Sequence, residues 1–303
     1  MTETMAGRRI VVGVDTSEAC LPAARWAARE AVRTAATLKL FHASVFWNDD
    51  HVPPRQVSAE DREVLLEHGY LWAHRAAGAA SDAAPGVRIE TAVRLGLAVD
   101  LLVAESAGAE LIVLGSHGIG GLRGVVTGSV SLRIAAEASC PVVVVPADTA
   151  PPHGPVVVGV DATMASERAI EFAMEAAAAR DVPLIAVHAW HDGLLDPAGL
   201  AAEEGAKQRY NLEHRMSGWI ARYPAVDVRL RTVRSHHPGR ELVRSAPDAQ
   251  LVVVGSRGRG PVAGGLLGST GNYLLSRADC PVVIAHHRAP VAKEAEPWTH
   301  ATT

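Results

Sequence analysis

The feature that most constrains this chain is its self-similarity. The segment VVGVDTSEACLPAARWA beginning at Val11 matches VVGVDATMASERAIEFA beginning at Val157 without a gap, which sets Asp15 against Asp161 and Trp26 against Phe172. A second landmark, LIVLGSHGIGGLRGVVTGS from Leu111, matches LVVVGSRGRGPVAGGLLGS from Leu251, and in both copies a helix-like segment and then a CPVV string follow. Landmarks repeated in the same order mean two copies of one folding unit. A chain of 303 residues is also long enough for one large barrel, and the repeat decides against it.

The copies are 146 residues apart at the first landmark and 140 at the second, so the first carries extra chain between its landmarks. The stretch from Trp47 to Ser58, rich in Asn, Asp, His and Pro, is where a loop absorbs it. PADTAPPHGP from Pro146 reads as a Pro-rich linker. We therefore expect a first domain over residues 1–148, a second over 149–288 and a disordered polar tail over 289–303.

Within the first copy the apolar run Ile10 to Val14 stops at Asp15, and Thr16 or Ser17 is placed to cap the helix that follows. Leu21, Ala24, Ala28 and Val32 share one face of that helix while Arg25, Arg29 and Arg33 share another. Further strands are expected at Leu38 to Val45, Val87 to Val93, Leu111 to Leu114 and Val142 to Val145, with helices at Ala59 to Ala80, Ala98 to Ala107 and Ser129 to Ala138. The second copy repeats the strands at Val156 to Val160, Leu184 to Ala189, Val226 to Val233, Leu251 to Val254 and Val282 to Ala285. Apolar strands alternating with helices specify an α/β fold: two tandem doubly wound, mostly parallel five-stranded sheets with helices on both faces. An apolar last strand left open invites aggregation, so Val142 to Val145 is expected to pair with Val282 to Ala285 across a pseudo-two-fold axis, an intramolecular pseudo-dimer.

Composition excludes several function classes. Net charge is −4, and no stretch clusters Lys and Arg with aromatics, which argues against nucleic acid. No apolar run approaches the ~18 to 20 residues of a membrane span, and the polar N-terminus lacks a signal-peptide core, so a soluble cytoplasmic protein with no membrane partner is expected. Cys20, Cys140 and Cys280 are odd in number without a CxxC spacing, which fits neither a disulfide framework nor a zinc site. Cys140 and Cys280, each before Pro and an apolar run, read as small buried hydrophobes.

The chemistry lies in the glycine loops. The first reads Gly115-Ser-His-Gly118, nine residues, then Gly128-Ser129; the second reads Gly255-Ser-Arg-Gly258, nine residues, then Gly268-Ser269. Each follows an apolar strand and opens a helix, where glycine permits close backbone approach and the free N–H groups and positive dipole end favour phosphate. Ser129, Ser131, Ser269 and Thr270 add hydroxyls. In a doubly wound sheet the ligand crevice opens beyond the carboxyl ends of the strands, so Asp15 and the first loop face one crevice. The P-loop string GxxxxGK[ST] is absent, and Gly258-Arg-Gly260-Pro-Val-Ala263 lies too late in its domain for a dinucleotide fingerprint.

On V-G-V-D near the start of each copy and G-x2-G-x9-G-[ST] after a later strand, the chain resembles the universal stress protein family in its tandem-domain, ATP-binding form. The resemblance implies an adenine nucleotide alpha hydrolase-like fold and ATP with Mg2+ held by the nucleotide phosphates. It also implies Asp15 and Asp161 at the adenosine end, Ala43 and Ala189 offering backbone to adenine, and Gly115 and Gly255 near ribose. Gly118, Gly128, Ser129, Val130 and Ser131 would line the phosphates in the first copy, and Gly258, Gly268, Ser269 and Thr270 in the second. The second copy has Gly271 where the first has Ser131, which implies a tighter first site.

Other residues suggest less. His117, Arg123, Arg257 and Arg259, in the glycine loops, are candidates to meet a γ-phosphate, but His117 has no evident carboxylate partner for base catalysis. The histidines at 42, 188, 236, 237, 286 and 287 lack recurring ligand spacing and read as packed or solvated, so no metal site is built from protein ligands. Trp26, Phe172, Trp47 and Trp190 read as core or crevice-wall aromatics. The expected function is an ATP-binding stress-response regulator with one site per domain. The alternative is a slow ATPase or nucleotidyl-transfer enzyme, for which neither loop offers a matched Asp, Glu or Gln. Dimers of whole chains are plausible on this reading, and the protein partner is not readable from the sequence.

Overall fold

The computed structural model describes residues 8–44, 58–116, 128–147, 153–161, 163–191, 200–245, 247–256 and 267–286. The first half runs β1 (Arg9–Val14), α1 (Cys20–Arg33), β2 (Thr37–Ser44), α2 (Ala59–Ala83), β3 (Ile89–Leu95), α3 (Ala98–Ser106), β4 (Leu111–Gly115), α4 (Ser129–Glu137) and β5 (Val142–Val145). The second runs β6 (Val156–Gly159), α5 (Met164–Arg180), β7 (Leu184–Trp190), α6 (Leu200–Arg222), β8 (Val228–Arg234), α7 (Pro238–Ser245), β9 (Leu251–Gly255), α8 (Ser269–Arg277) and β10 (Val282–Ala285). The expected tail and residues 148–152 of the linker lie outside the described residues.

Each half has strand order 3-2-1-4-5 with every pair parallel. The two five-stranded sheets meet edge to edge, so the halves form one ten-stranded sheet in the order β3-β2-β1-β4-β5-β10-β9-β6-β7-β8. The join is the expected one: β5 and β10 pair antiparallel, with Val144 opposite Val282, Val143 opposite Val283 and Val142 opposite Ile284. The physical reason is that all four residues of each strand are buried, so neither could be left as an open edge.

The central strands are continuous apolar runs because helices cover both of their faces. On one face Ala23, Ala24, Ala27 and Ala28 of α1 pack over the sheet with Ala76 and Ala80 of α2, Ile170 and Met174 of α5, and Leu212 and Met216 of α6. On the other, Leu102 of α3, Ile134 of α4, Leu242 of α7 and Leu274 of α8 form a second core. The small alanines let α1 lie close to the strands. Val32, expected on the buried face, is 52% exposed, and Glu30 is buried instead. The reason is interdomain: Glu30 Oε2 accepts from Arg180 Nη2 of α5 at 2.6 Å and also pairs with Arg33. Beside this pair, α1 and α5 leave a cleft of about 550 Å3 over the seam, lined by Phe172, Glu175 and Tyr223 among others.

Candidate functional site

The crevice is made where connections part. Pairing between β1 and β4 runs from Ile10–Leu111 to Val12–Val113 and then ceases, although both strands continue. From there the chain leaves β1 toward α1 on one face and leaves β4 toward α4 on the other. The same event recurs between β6 and β9, whose pairing runs from Val156–Leu251 to Val158–Val253. This is the topological switch point at which α/β sheets take ligands.

Asp15 stands at the mouth of the first crevice, just past β1. Its Oδ1 accepts both the Ser17 N–H at 3.1 Å and the Ser17 hydroxyl at 2.8 Å, closing an Asx turn. Asp161 does the same with Thr163, at 2.8 Å from the N–H and 2.5 Å from the hydroxyl. Here the expectation of a Thr16 or Ser17 cap fails: α1 begins later, at Cys20, with Ala19 as its cap and no side-chain bond. Ser17 does not serve the helix because α1 starts too far beyond it, and its N–H and hydroxyl turn to the Asp15 carboxylate instead. The second turn is braced by the Arg215 guanidinium on the Thr163 carbonyl at 2.9 Å and by the Ser166 hydroxyl on the Asp161 N–H at 2.8 Å. The Arg215 contact is not legible in sequence, since it comes from a helix 52 residues away.

Ala43 and Ala189 lie where backbone is offered. The Thr37 N–H bonds Arg8 of the β1 side and the Leu38 N–H bonds Arg88 of the β3 side, so residues 37, 39, 41 and 43 turn their backbone groups toward β1. β1 ends at Val14, opposite His42, and the Ala43 carbonyl therefore faces the crevice beyond it. In the second half the Val160 N–H bonds Val187, and by the same alternation Ala189 faces the space beyond β6.

The neighbouring histidines are structural. His42 Nδ1 meets the Val14 carbonyl at 2.8 Å and His188 Nδ1 meets that of Val160 at 2.7 Å, tying β2 and β7 to the ends of β1 and β6. Burial pushes the His42 imidazole below its ordinary value, against the raising effect of the Val14 carbonyl. His188 also meets Gln208 of α6, a contact with no sequence signature. His236 stacks on His191 with ring centroids 4.7 Å apart. The cysteine expectation agrees with the geometry for Cys140, which is buried, while Cys280 is half-buried and desolvation pushes its thiol up to about 12.

The glycine loops, expected to face phosphate, are seen at their two rims. Gly115 closes β4 and Gly255 closes β9, each paired with the last residue of a seam strand, Val145 and Ala285. The far rim is Gly128, whose N–H bonds the Ser116 carbonyl at 3.0 Å, bringing the loop ends together. Gly128 and Gly268 are the N-caps of α4 and α8, in extended conformation and without a side-chain cap. The N–H groups of Ser129, Val130 and Ser131, and of Ser269, Thr270 and Gly271, thus open toward the crevice with no side chain of the described residues accepting from them. Gly118 and Gly258, with His117, Arg123, Arg257 and Arg259, lie outside the described residues. The Ser131 hydroxyl donates to the Gly115 carbonyl at 3.0 Å and is buried, so its proton is committed to the loop rather than to the crevice. The extra donor imagined for the first site is therefore not displayed in this arrangement. At Gly271 an added Cβ would meet the Leu267 side chain at 3.0 Å, a tight contact.

Each half thus brings a carboxylate in an Asx turn, strand backbone beyond a terminated neighbour and a glycine-capped helix start to one end of its sheet. Comparison with known proteins supplies the wider frame. The model of the universal stress protein family matches residues 7–146 and again 153–286. A universal stress protein of Mycolicibacterium smegmatis is 36% identical over 295 residues, covering 95% of this chain and 100% of that protein. Another, from Mycobacterium tuberculosis strain H37Rv, is 37% identical over 294 residues, covering 91% and 95%. The crystal structure of a universal stress protein from Archaeoglobus fulgidus superposes with a TM-score of 0.68 at 18% identity, over 93% of this chain and 98% of that one, a likeness of fold.

Proposed function

The chain belongs to the universal stress protein family, and from that premise we propose that each half binds one ATP, with Mg2+ on its phosphates, as a nucleotide-dependent regulator with little or no turnover. The observation that carries this reading is the duplication of the crevice in its working parts. Both halves hold an aspartate in the same Asx turn, present an alanine backbone past a terminated strand and open a helix at an uncapped glycine.

These parts fit the nucleotide in order. Asp15 and Asp161, each with Oδ1 engaged by its turn, have Oδ2 left to accept from the ribose hydroxyls. The Ala43 and Ala189 backbones take the adenine edge, and the N–H groups past Gly128 and Gly268 take phosphate oxygens, where helix N-termini favour negative charge. Mg2+ bound to the phosphates supplies charge neutralisation that the neighbouring backbone alone does not. Gly118 and Gly258, by the resemblance, let the phosphates approach the loop. Binding is favoured over transfer because phosphoryl transfer needs a base or water-orienting group at the γ-phosphate. The two aspartates are assigned to the opposite, adenosine end.

The test is calorimetric titration of ATP and Mg2+ into nucleotide-free protein, with Gly118→Val and Gly258→Val as single-site controls. Two equivalents in the parent and one in each variant are expected. No binding in the parent overturns the reading, and one equivalent unchanged by Gly258→Val reduces the second half to scaffold.

A further inference from the structure

α4 is held at its carboxyl end by the other domain. A helix leaves its last carbonyls without intrahelical donors, and each needs one from elsewhere when buried. The donor four residues beyond Ala135 is the Ser139 N–H, but that group bonds the Ser106 hydroxyl at 2.9 Å. The Ala135 carbonyl, on a residue with no solvent exposure, is instead met at 2.9 Å by Nε2 of His286, a buried residue 151 positions away that follows β10. A carbonyl only accepts, so Nε2 carries the proton in this contact. His286 is held firmly because Ala285 pairs with Gly255 and its carbonyl accepts the Ser256 N–H at 3.0 Å.

We propose that His286 is a positioning residue for the first nucleotide site: from the second domain it caps the carboxyl end of α4, the helix whose amino end faces the phosphates of the first domain. The inference rests on the reading of Gly128 to Ser131 as a phosphate-binding helix mouth. α4 has nine residues, a rod of roughly 13 Å at the ordinary helical rise, so a cap at one end sets where the N–H groups at the other end point.

The experiment compares His286→Ala and His286→Gln in the full chain. Each is placed in a Gly258→Val background, which leaves the first site, and in a Gly118→Val background, which leaves the second. Loss of one neutral hydrogen bond predicts a ~3- to 10-fold weaker ATP affinity at the first site for His286→Ala. The second site is expected to stay within about twofold, and His286→Gln, whose amide can replace the Nε2 donor, restores most of the loss. Amide hydrogen exchange of the nucleotide-free protein gives an independent readout: His286→Ala should speed exchange in residues 129–137 of α4 and leave residues 269–277 of α8 unchanged. Equal weakening of both sites, an unchanged first site, or equal exchange changes in both helices would overturn the proposal. If the parent binds no ATP, the nucleotide reading fails, while the exchange comparison still decides whether His286 positions α4.

Discussion

The ion pair between Glu30 and Arg180 ties the two halves together, and its removal should show how far they behave as one unit. The side chains are 9% and 6% exposed, and the Arg180 Nη2 to Glu30 Oε2 distance is 2.6 Å. Burial pulls the Arg180 guanidinium below its ordinary value, partly countered by Glu30, while Arg33 pulls it further down. Glu30→Ala therefore leaves two arginines facing each other, one of them buried, and should cost about 3 to 5 kcal/mol. Arg180→Ala leaves Glu30 with Arg33 still beside it, so its cost should be nearer the ~1.5 to 3 kcal/mol of a single charge-assisted bond. Replacing both by apolar residues, as in Glu30→Leu with Arg180→Met, should recover much of the loss, because the desolvation of both charges is removed together. Urea unfolding of the parent, Glu30→Ala, Arg180→Ala and the combined Glu30→Ala/Arg180→Ala chain gives the coupling between the sites, expected at roughly 2 to 4 kcal/mol, and the apolar Leu/Met pair is unfolded beside them. A coupling near zero, or Arg180→Ala costing more than Glu30→Ala, would refute the argument that burial and the third charge set the energies.

Three further outcomes follow from named contacts. Gly13→Ala should destabilise the fold by about 1 to 2 kcal/mol, because the new Cβ would meet Leu114 Cδ2 at 2.6 Å, and by more than Gly159→Ala, whose nearest contact is Val254 at 3.0 Å; urea midpoints would rank them. His42 has a folded-state pKa below the free value of 6.5, so protons bind the unfolded chain preferentially and its share of stability, present above that value, is lost as pH falls below it. His42→Asn should therefore flatten part of the drop in unfolding free energy between about pH 7.5 and 5.5, and an unchanged drop would reject the assignment. Steady-state ATP hydrolysis is expected to stay well below ~1 per second, in contrast to the ordinary enzyme range, and phosphate release at or above that rate would move the protein among the enzymes.

The duplication, the alternation of strands and helices and the pairing at the seam were written locally. Apolar runs such as VVVV at Val142 are decisive because such a strand has no solvent face, and the aspartate after β1 and the glycines after β4 sit next to the strands that present them. The seam was legible for the same reason, since neither terminal strand tolerates an open edge. Tertiary structure alone decided the rest. A helical face read from periodicity put Val32 inside and gave no reason to bury Glu30, because the partner that makes its burial tolerable, Arg180, is 150 residues away. Ser17 looked like a helix cap, yet it closes an Asx turn with Asp15 and α1 starts only at Cys20. Ser131 looked like a phosphate donor until the Gly115 carbonyl took its proton. Sequence spacing records what a residue can do with its chain neighbours, whereas a hydroxyl, a guanidinium or an imidazole satisfies whichever partner the fold brings within about 3 Å.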